Sequence, residues 1–420
     1  MPDSPGTTGI SACPHFAKYD PLHPDELRDP YPSLAVSRRE NPVYHLEAFN
    51  IWEVTRQADV LAILRDDENF SAEGALESYP LPPQLRERMA GYPWSESVLM
   101  LDDPDHRPMR ALVQAPFTPR SLAAREPFLR ERAKRLLQPL TDEGTIDFVN
   151  EYAIPLSLGA IASITGVPED KSDLMMRAVE SEFRLCSFAP IDEAEYLAAA
   201  TDIAELYEYF GELIADRRAH PRDDYASVMI QRLRNDQSPE ATKRIIVGLY
   251  DILVAGFETS AQMMAQGVRS LLTHRDQWEL LVRDPALVPS AVEETLRQRT
   301  LVKRIFRLAK HEVSVGGVSI PAGGLVSLIL ASADHDPDVY PDPERLDITR
   351  QAPHLAFGKG KHFCIGAPLA RIEMRITLEV LRERFPDLEL APDQELEWRP
   401  DIRIDTINQL RLQLPTTARA

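Results

Sequence analysis

From Asp105 to about Thr273 apolar residues recur at helical spacing, with breaks at Gly144, Gly166-Val167-Pro168, Pro190 and Pro221. Such a pattern marks helices that bury one face against a core. The last helix of this region is expected from about Ser238 to Thr273. At 1.5 Å per residue it would be on the order of 50 Å long and cross the whole molecule. Its centre (Ile245, Ile246, Val247, Leu249, Ile252, Leu253, Val254, Ala255) is apolar all round, which predicts burial on most sides. Ser290 and Glu293 have the spacing of a capping box and predict a helix through about Gln298. A further helix is expected from Ala367 to about Glu383.

Strand alternation shows at Val43–Leu46 and Asn50–Thr55, with a short helix over Gln57–Asp66. Near the other end, Glu312–Val315, Gly316-Gly317 and Val318–Ile320 form a hairpin signature, followed by a strand from Leu325 to Ser332. The fold class expected is mainly α with a smaller β-rich portion built from both ends of the chain. Between them, Ser71–Leu101 carries prolines at 80, 82, 83 and 93 and little periodicity. A connection that long is usually functional, as a lid or binding loop. No linker composition divides the chain, so the expectation is a flexible segment over residues 1–20 and a single catalytic domain over 21–420.

Composition narrows the function classes. The chain has 420 residues, 47 basic and 66 acidic, for a net charge of −19. That balance argues against nucleic acid or an anionic membrane as a partner. Cys13, Cys186 and Cys364 are the only cysteines and lie far apart; this fits a reducing compartment, and a cytoplasmic location is expected. No secretory or transit pattern opens the chain, and the apolar runs Ile154–Val167 and Leu325–Ala333 are interrupted or too short to span a bilayer.

Chemistry concentrates in the run Phe357-Gly358-Lys359-Gly360-Lys361-His362-Phe363-Cys364-Ile365-Gly366. Its glycines allow a tight loop, and the helix that follows aims its N-terminus at the sulfur; both features favour a thiolate. One anionic sulfur with no second cysteine nearby suits an axial ligand to haem iron. A zinc site of His354, His362 and Cys364 is the weaker alternative, because its spacing matches no recognised pattern. Ala255-Gly256-Phe257-Glu258-Thr259-Ser260 places a glycine, an acid and a hydroxyl inside the long helix, against propensity and desolvation. A threonine bonding one turn back would distort the ladder and open a groove, and the carboxylate beside it could relay protons. Glu294 and Arg297 stand at i, i+3, which alone reads as an ordinary helix-surface pair. His106 and Arg110 share a helix face that begins near Asp103-Pro104-Asp105. Converging with Arg307 and His362, they would hold a dianion.

Taken in order, these motifs resemble the cytochrome P-450 family. The cysteine run has the form Phe-Gly-x-Gly-x-His-x-Cys-x-Gly of soluble bacterial members. His106-x-x-x-Arg110, Ala255-Gly256-x-Glu258-Thr259 and Glu294-x-x-Arg297 precede it in the family order, Arg307 follows ten residues after Arg297, and Asp336-Pro337 to Arg350 resembles the family's meander. The likeness spans about residues 20 to 415. It implies the cytochrome P-450 fold, with the long helix over haem b, and a monooxygenase that activates dioxygen to oxidise a small organic substrate. By this resemblance Cys364 is the iron ligand, within a haem-binding set of Ala255, Gly256, Phe357, Gly358 and Gly366. His106, Arg110, Arg307 and His362 would hold the propionates. Glu258 and Thr259 would deliver protons, and Glu294, Arg297 and Arg350 would form a structural ion network. Val254, Val302, Lys303, Ile305 and Ile404 would line the substrate pocket. Electrons would come from NAD(P)H through a separate ferredoxin reductase and ferredoxin, since no such segment is fused. The basic side chains Lys359, Lys361, Arg371 and Arg375 would dock that ferredoxin. Secondary-metabolite tailoring is one role open to such a protein. A peroxide-dependent peroxygenase and a non-catalytic haem binder are the alternatives, and Glu258-Thr259 argues against the first.

The sequence departs from the family where Gln298-Arg299-Thr300-Leu301-Val302 stands in place of a common Tyr-x-Ser-Pro-Val. Lys303 and Arg304 occupy a segment that is usually uncharged, and Asp405-Thr406 replaces a common Arg-Gly pair. From these departures Lys303, Arg304 or Arg403 is expected to pair with an anionic group on the substrate.

Overall fold

The computed structural model describes residues 19–76, 96–142, 144–351 and 353–414. The segment expected to be flexible, 1–20, lies almost wholly outside the described residues, as does 77–95 of the proline-rich connection. The chain opens with α1 (Tyr31–Glu40), β1 (Val43–Leu46), β2 (Ile51–Val54), α2 (Gln57–Ile63) and β3 (Phe70–Ser71). A helical half follows: α3 (His106–Val113), α4 (Pro119–Leu136), the short β4 (Thr145–Asp147), α5 (Ile154–Thr165), α6 (Ser172–Cys186), α7 (Glu193–Ala219) and α8 (Tyr225–Arg232). Next come α9 (Pro239–Gly256), α10 (Glu258–Thr273), α11 (Arg275–Arg283) and α12 (Val288–Gln298). The chain then runs through β5 (Arg304–Ala309), β6 (Val313–Val315), β7 (Val318–Ile320), β8 (Leu325–Ile329), α13 (Ala367–Arg384), β9 (Glu389–Leu390) and β10 (Arg411–Gln413).

The main sheet has the strand order β1-β2-β8-β5-β3, with β2 and β8 parallel and the remaining pairs antiparallel. Residues near both ends of the chain therefore share one sheet, as the alternation pattern suggested. The β6–β7 hairpin closes on Gly316 (φ 55°) and Gly317 (φ 83°), both in the left-handed region that a two-residue turn matching the strand twist requires. The large core lies among the helices, where α10 packs on α5, α12 and α13. A second, smaller core backs the sheet.

Four local expectations change. The long helix is two helices, α9 and α10, that break at Phe257. Thr259 Oγ1 donates to the Ala255 carbonyl at 2.5 Å, and the ladder resumes only with the Ala261 amide bonding Phe257 O at 2.9 Å. Ser290 does not cap α12: the helix starts at Val288 with Leu287 as its cap, and Ser290 Oγ instead bonds Leu287 O at 3.0 Å. Pro289 explains the shift, because proline is favoured in a first turn where no amide partner is needed. Strand β8 ends at Ile329, and Leu330–Ala333 coils into a helical turn. Helix α2 ends at Ile63 rather than Asp66.

Pro239–Thr273 is long and apolar enough to cross a membrane by length and composition, but 78% of its most apolar window is buried inside the protein. It is a core element of the fold.

Candidate functional site

The cysteine loop is shaped by its own backbone. Gly358 and Gly360 have φ of 67° and 78°, where other residues are strained. A Cβ on Gly360 would also collide with the Leu64 carbonyl, so the loop lies tight against the end of α2. The Cys364 amide bonds Phe357 O at 3.0 Å and closes the loop, and Gly366 caps α13. Cys364 presents an exposed sulfur. The amides of Gly366 and Ala367 and the cations of Arg110 and Arg371 favour its thiolate, yet desolvation is the larger effect and raises the thiol pKa. The amides at the helix terminus thus act in the direction that the sequence implied, against the effect of burial.

Four donors gather beside this loop. The His106 and His362 rings stand 4.3 Å apart, with Arg110 and Arg307 close by. Arg110 Nη2 bonds Phe363 O at 2.6 Å and Arg307 Nη1 bonds Phe306 O at 2.7 Å, so their partners are backbone carbonyls rather than acids. His106 Nε2 is buried without a partner. Burial, and then the charges of Arg307 and His106, push His362 down to about 3. Burial also lowers His106 and Arg307. Two arginines without acid partners beside two imidazole donors fit a dianion such as two propionates.

The break in the central helix forms a third part. Ala255 is exposed and Gly256 and Thr259 half-buried, although most of their neighbours on α9 and α10 are buried. Gly256 has a packing reason of its own, since a Cβ there would meet Ile161 of α5 at 2.5 Å. Glu258 is 2% exposed and ion-paired to Arg399 Nη2. Burial raises its pKa, and Arg399 opposes that shift.

Glu294 and Arg297 are not a surface pair. They are 2% and 1% exposed, joined by bonds of 2.8 and 2.9 Å, and Arg350 Nε reaches Glu294 at 3.2 Å. Arg297 also donates to the carbonyls of Asp334 (2.8 Å) and Pro343 (2.9 Å), which ties α12 to the segment before the cysteine loop.

Two charge assignments need correction. Arg304 pairs with Glu53 at 3.2 Å and Arg403 with Asp401 at 3.0 Å, while Lys303, 3% exposed, donates to Asp401 O at 3.3 Å. Unpaired cations cannot stay buried cheaply, so the fold supplies partners and leaves neither arginine free for a substrate anion. Val302 and Ile305 remain half-buried, and Val302 forms a bridge with Ile404; Val254 is buried. Likewise most of the supposed docking cations are consumed. Lys361 bridges Asp67 and Asp103 at 2.8 Å each, Arg371 pairs with Glu293 at 2.7 Å, and Arg375 with Glu126 at 2.8 Å.

His354 bonds Glu293 at 3.1 Å, and among the described residues no group of three or more His, Cys, Asp or Glu could hold a metal ion, which removes the zinc alternative. Sequence reasoning missed Arg399 as the partner of Glu258, 141 residues away. It also missed the Glu293–Arg371–His354 cluster, in which Glu293 is held down to about 2 by its two partners against burial. No local spacing signals either one.

Comparisons with known proteins agree with this geometry. The cytochrome P450 family pattern matches residues 282–402. The chain is 35% identical over 388 residues to the vitamin D(3) 25-hydroxylase of Pseudonocardia autotrophica, covering 91% of this chain and 93% of that protein. It is 34% identical over 417 residues to the cytochrome P450 monooxygenase PikC of Streptomyces venezuelae, covering 96% of each. Among solved structures, cytochrome P450 CREJ in complex with (4-ethylphenyl) dihydrogen phosphate superposes with a TM-score of 0.88 at 28% identity, over 95% of this chain and 100% of that one. The family's members bind haem b, and the donor set around Cys364 fits that group: one thiol sulfur on a rigid loop, a cationic cluster for two propionates and an orphaned buried imidazole nitrogen. The chain belongs to the cytochrome P450 family of haem-thiolate monooxygenases.

Proposed function

We propose that this protein is a cytoplasmic monooxygenase that oxidises a small, largely apolar organic substrate with electrons from a separate ferredoxin. The observation that carries this reading is the helix break, where Glu258 and Thr259 adjoin the exposed Ala255 within an otherwise buried helix. Haem held by Cys364, with its propionates on His106, Arg110, Arg307 and His362, would supply oxygen activation. The chain's own residues do the rest. Thr259 Oγ1, engaged with Ala255 O, holds the ladder open at the helix break. Glu258, ion-paired with the 30% exposed Arg399, passes a proton from solvent on that side to the interior. Val302, Ile305, Ile404 and Val254 provide an apolar wall, and the internally paired Arg304 and Arg403 leave no free guanidinium to select an anion. Residues 21–420 act as one catalytic domain.

A groove of about 380 Å³ beside Cys364, lined in part by Arg110, Arg232, Phe117 and Phe363, supports the ferredoxin reading. Arg232 there bonds the Ala111 carbonyl rather than an acid, so it retains charge for an acidic partner, and Lys359 is exposed nearby. Reconstitution with NADH, a ferredoxin reductase and a ferredoxin tests the assignment. Turnover should require all three, and an Arg232→Glu, Lys359→Glu variant should be reduced more slowly at low salt and nearly normally at high salt. Turnover with peroxide alone would favour the peroxygenase reading. No turnover under any electron supply would favour a haem binder. Related proteins act in tailoring chemistry, among them the 6-deoxyerythronolide B hydroxylase of Saccharopolyspora erythraea, and a secondary-metabolite substrate is the first class to screen.

A further inference from the structure

Lys361, a docking cation by its place in the sequence, gives its ammonium to two acids instead, 2.8 Å from both Asp67 and Asp103. Those contacts belong to a closed ring of charge. Lys310 Nζ lies 3.4 Å from the Asp102 carboxylate and donates to the Asp67 carbonyl at 2.8 Å. Asp102 and Asp103 are neighbours in the chain, so acids and lysines follow one another in the order Asp103, Lys361, Asp67, Lys310, Asp102. The ring is also anchored to the main sheet. Asp102 accepts from Ser71 Oγ at 2.6 Å and from the Ala72 amide at 3.0 Å, at the end of β3.

The members of this ring flank the elements that carry the propionate donors. Asp103 lies three residues before His106, which opens α3; Lys310 directly follows β5, the strand of Arg307; and Lys361 adjoins His362. Both lysines meet at Asp67, just past α2, and the cysteine loop already packs there through Gly360 against the Leu64 carbonyl. The acids reach inward as well. Asp102 and Asp67 favour the charge on Arg307, Asp102 favours that on His362, and Asp103 that on His106. We infer that Asp67, Asp102, Asp103, Lys310 and Lys361 form a haem-retaining clasp, which draws α3, β5 and the cysteine loop together so that the four donors stay closed on the propionates. The clasp presupposes those propionate contacts, and neither the electron donor nor the substrate bears on it. Exposed ion pairs hold little singly, but a network whose members share partners holds more. The side chains of the ring are 25% to 49% exposed, so salt reaches them while the core stays intact.

Transfer of hemin from the purified holoenzyme to excess apomyoglobin measures retention without turnover. At low salt Lys361→Met should lose hemin about fivefold faster than wild type. Asp103→Asn should be faster than wild type by a smaller factor, because Asp67 still holds the lysine; being remote from the cysteine loop in sequence, it guards against a local effect on Cys364. Lys361→Arg keeps the charge and should stay within about twofold of wild type. At about 1 M salt, where the Debye length is about 3 Å, wild type should lose hemin faster and Lys361→Met should scarcely change. Arg307→Ala removes a donor itself and should speed the loss at either salt. If Lys361→Met and Asp103→Asn match wild type at low salt while Arg307→Ala is fast, the clasp is overturned and the propionate contacts stand. Wild-type retention in Arg307→Ala would overturn both. An excess loss from Lys361→Met that is undiminished at high salt would also overturn the clasp, since packing rather than charge would then be at work.

Discussion

Replacing Arg297 by alanine is the sharpest test of how the proximal half of the molecule is held. The side chain is 1% exposed and makes two bonds to Glu294, at 2.8 and 2.9 Å, with two more to the carbonyls of Asp334 and Pro343 at 2.8 and 2.9 Å. Alanine leaves the Glu294 carboxylate buried with only Arg350 Nε at 3.2 Å and the Asp347 amide at 3.0 Å. Stranding one member of a buried pair costs about 3–5 kcal/mol. Each orphaned carbonyl adds roughly 1–3 kcal/mol, though such terms do not sum. A loss of about 5 kcal/mol is therefore expected, against a native stability on the order of 5–15 kcal/mol. Urea unfolding followed by circular dichroism, with and without added hemin, measures it. Arg297→Lys keeps the charge but not the planar fork and should fall between alanine and wild type. Glu294→Leu with Arg297→Met should cost less than the alanine variant alone, because the buried carboxylate leaves with its main partner and only the less buried Arg350 loses an acid. If Arg297→Ala lies within about 1 kcal/mol of wild type, the buried network does not hold this half together and the reasoning fails.

Three further outcomes follow from particular contacts. Thr259→Ala removes the hydroxyl bonded to Ala255 O, and the rate of product formation should fall by about 10² while oxygen consumption continues as peroxide; unchanged coupling would exclude Thr259 from proton delivery. Arg399→Ala takes away the cation that offsets burial at Glu258, so the carboxyl pKa rises further and the pH profile of product formation should move to higher pH; a fixed profile would show that this ion pair does not control the acid. Asp251 on α9 accepts from Ser97 Oγ at 2.6 Å and the Val98 amide at 2.9 Å, and burial pushes it up from 3.8 to about 7. Its native pKa lies above the unfolded one, so stability should decline by up to ~4 kcal/mol as pH rises from 3.8 to about 7, and Asp251→Asn should remove that slope in pH-dependent urea titrations.

Period and spacing carried much of the fold. Helical spacing located α9 and α10, alternation located β1 and β2, and Gly316-Gly317 located the β6–β7 turn, because each rests on contacts between near neighbours in the chain. The failures are equally physical. The distortion near Phe257 was legible in Thr259 standing one turn after Ala255, but periodicity did not show that it would divide the long helix in two. The capping-box spacing at Ser290 was overridden by Pro289, which sits in a first turn that begins at Val288, three residues before the one a Ser290 cap would open. The charges were misread for a different reason. Arg304 and Arg403 are exceptional for their segment, but only their three-dimensional pairing with Glu53 and Asp401 shows that the fold uses those charges itself, whereas the Lys303 ammonium bonds a carbonyl, that of Asp401. The same applies to Lys361 and Arg375 near the cysteine loop. Arg399 went unnoticed because its relevance lies in what stands opposite it, Glu258 on a helix far away in sequence.

The central claim is that the sulfur of Cys364 is the protein's bond to haem iron. The absorption spectrum of the dithionite-reduced, carbon-monoxide-treated holoenzyme tests it most directly. Wild type should show the red-shifted Soret band of a thiolate-ligated ferrous carbonyl, and Cys364→Ser should lose it while the chain stays folded. A wild-type spectrum of the histidine-ligated kind, or a serine variant with an unaltered band, would contradict the account.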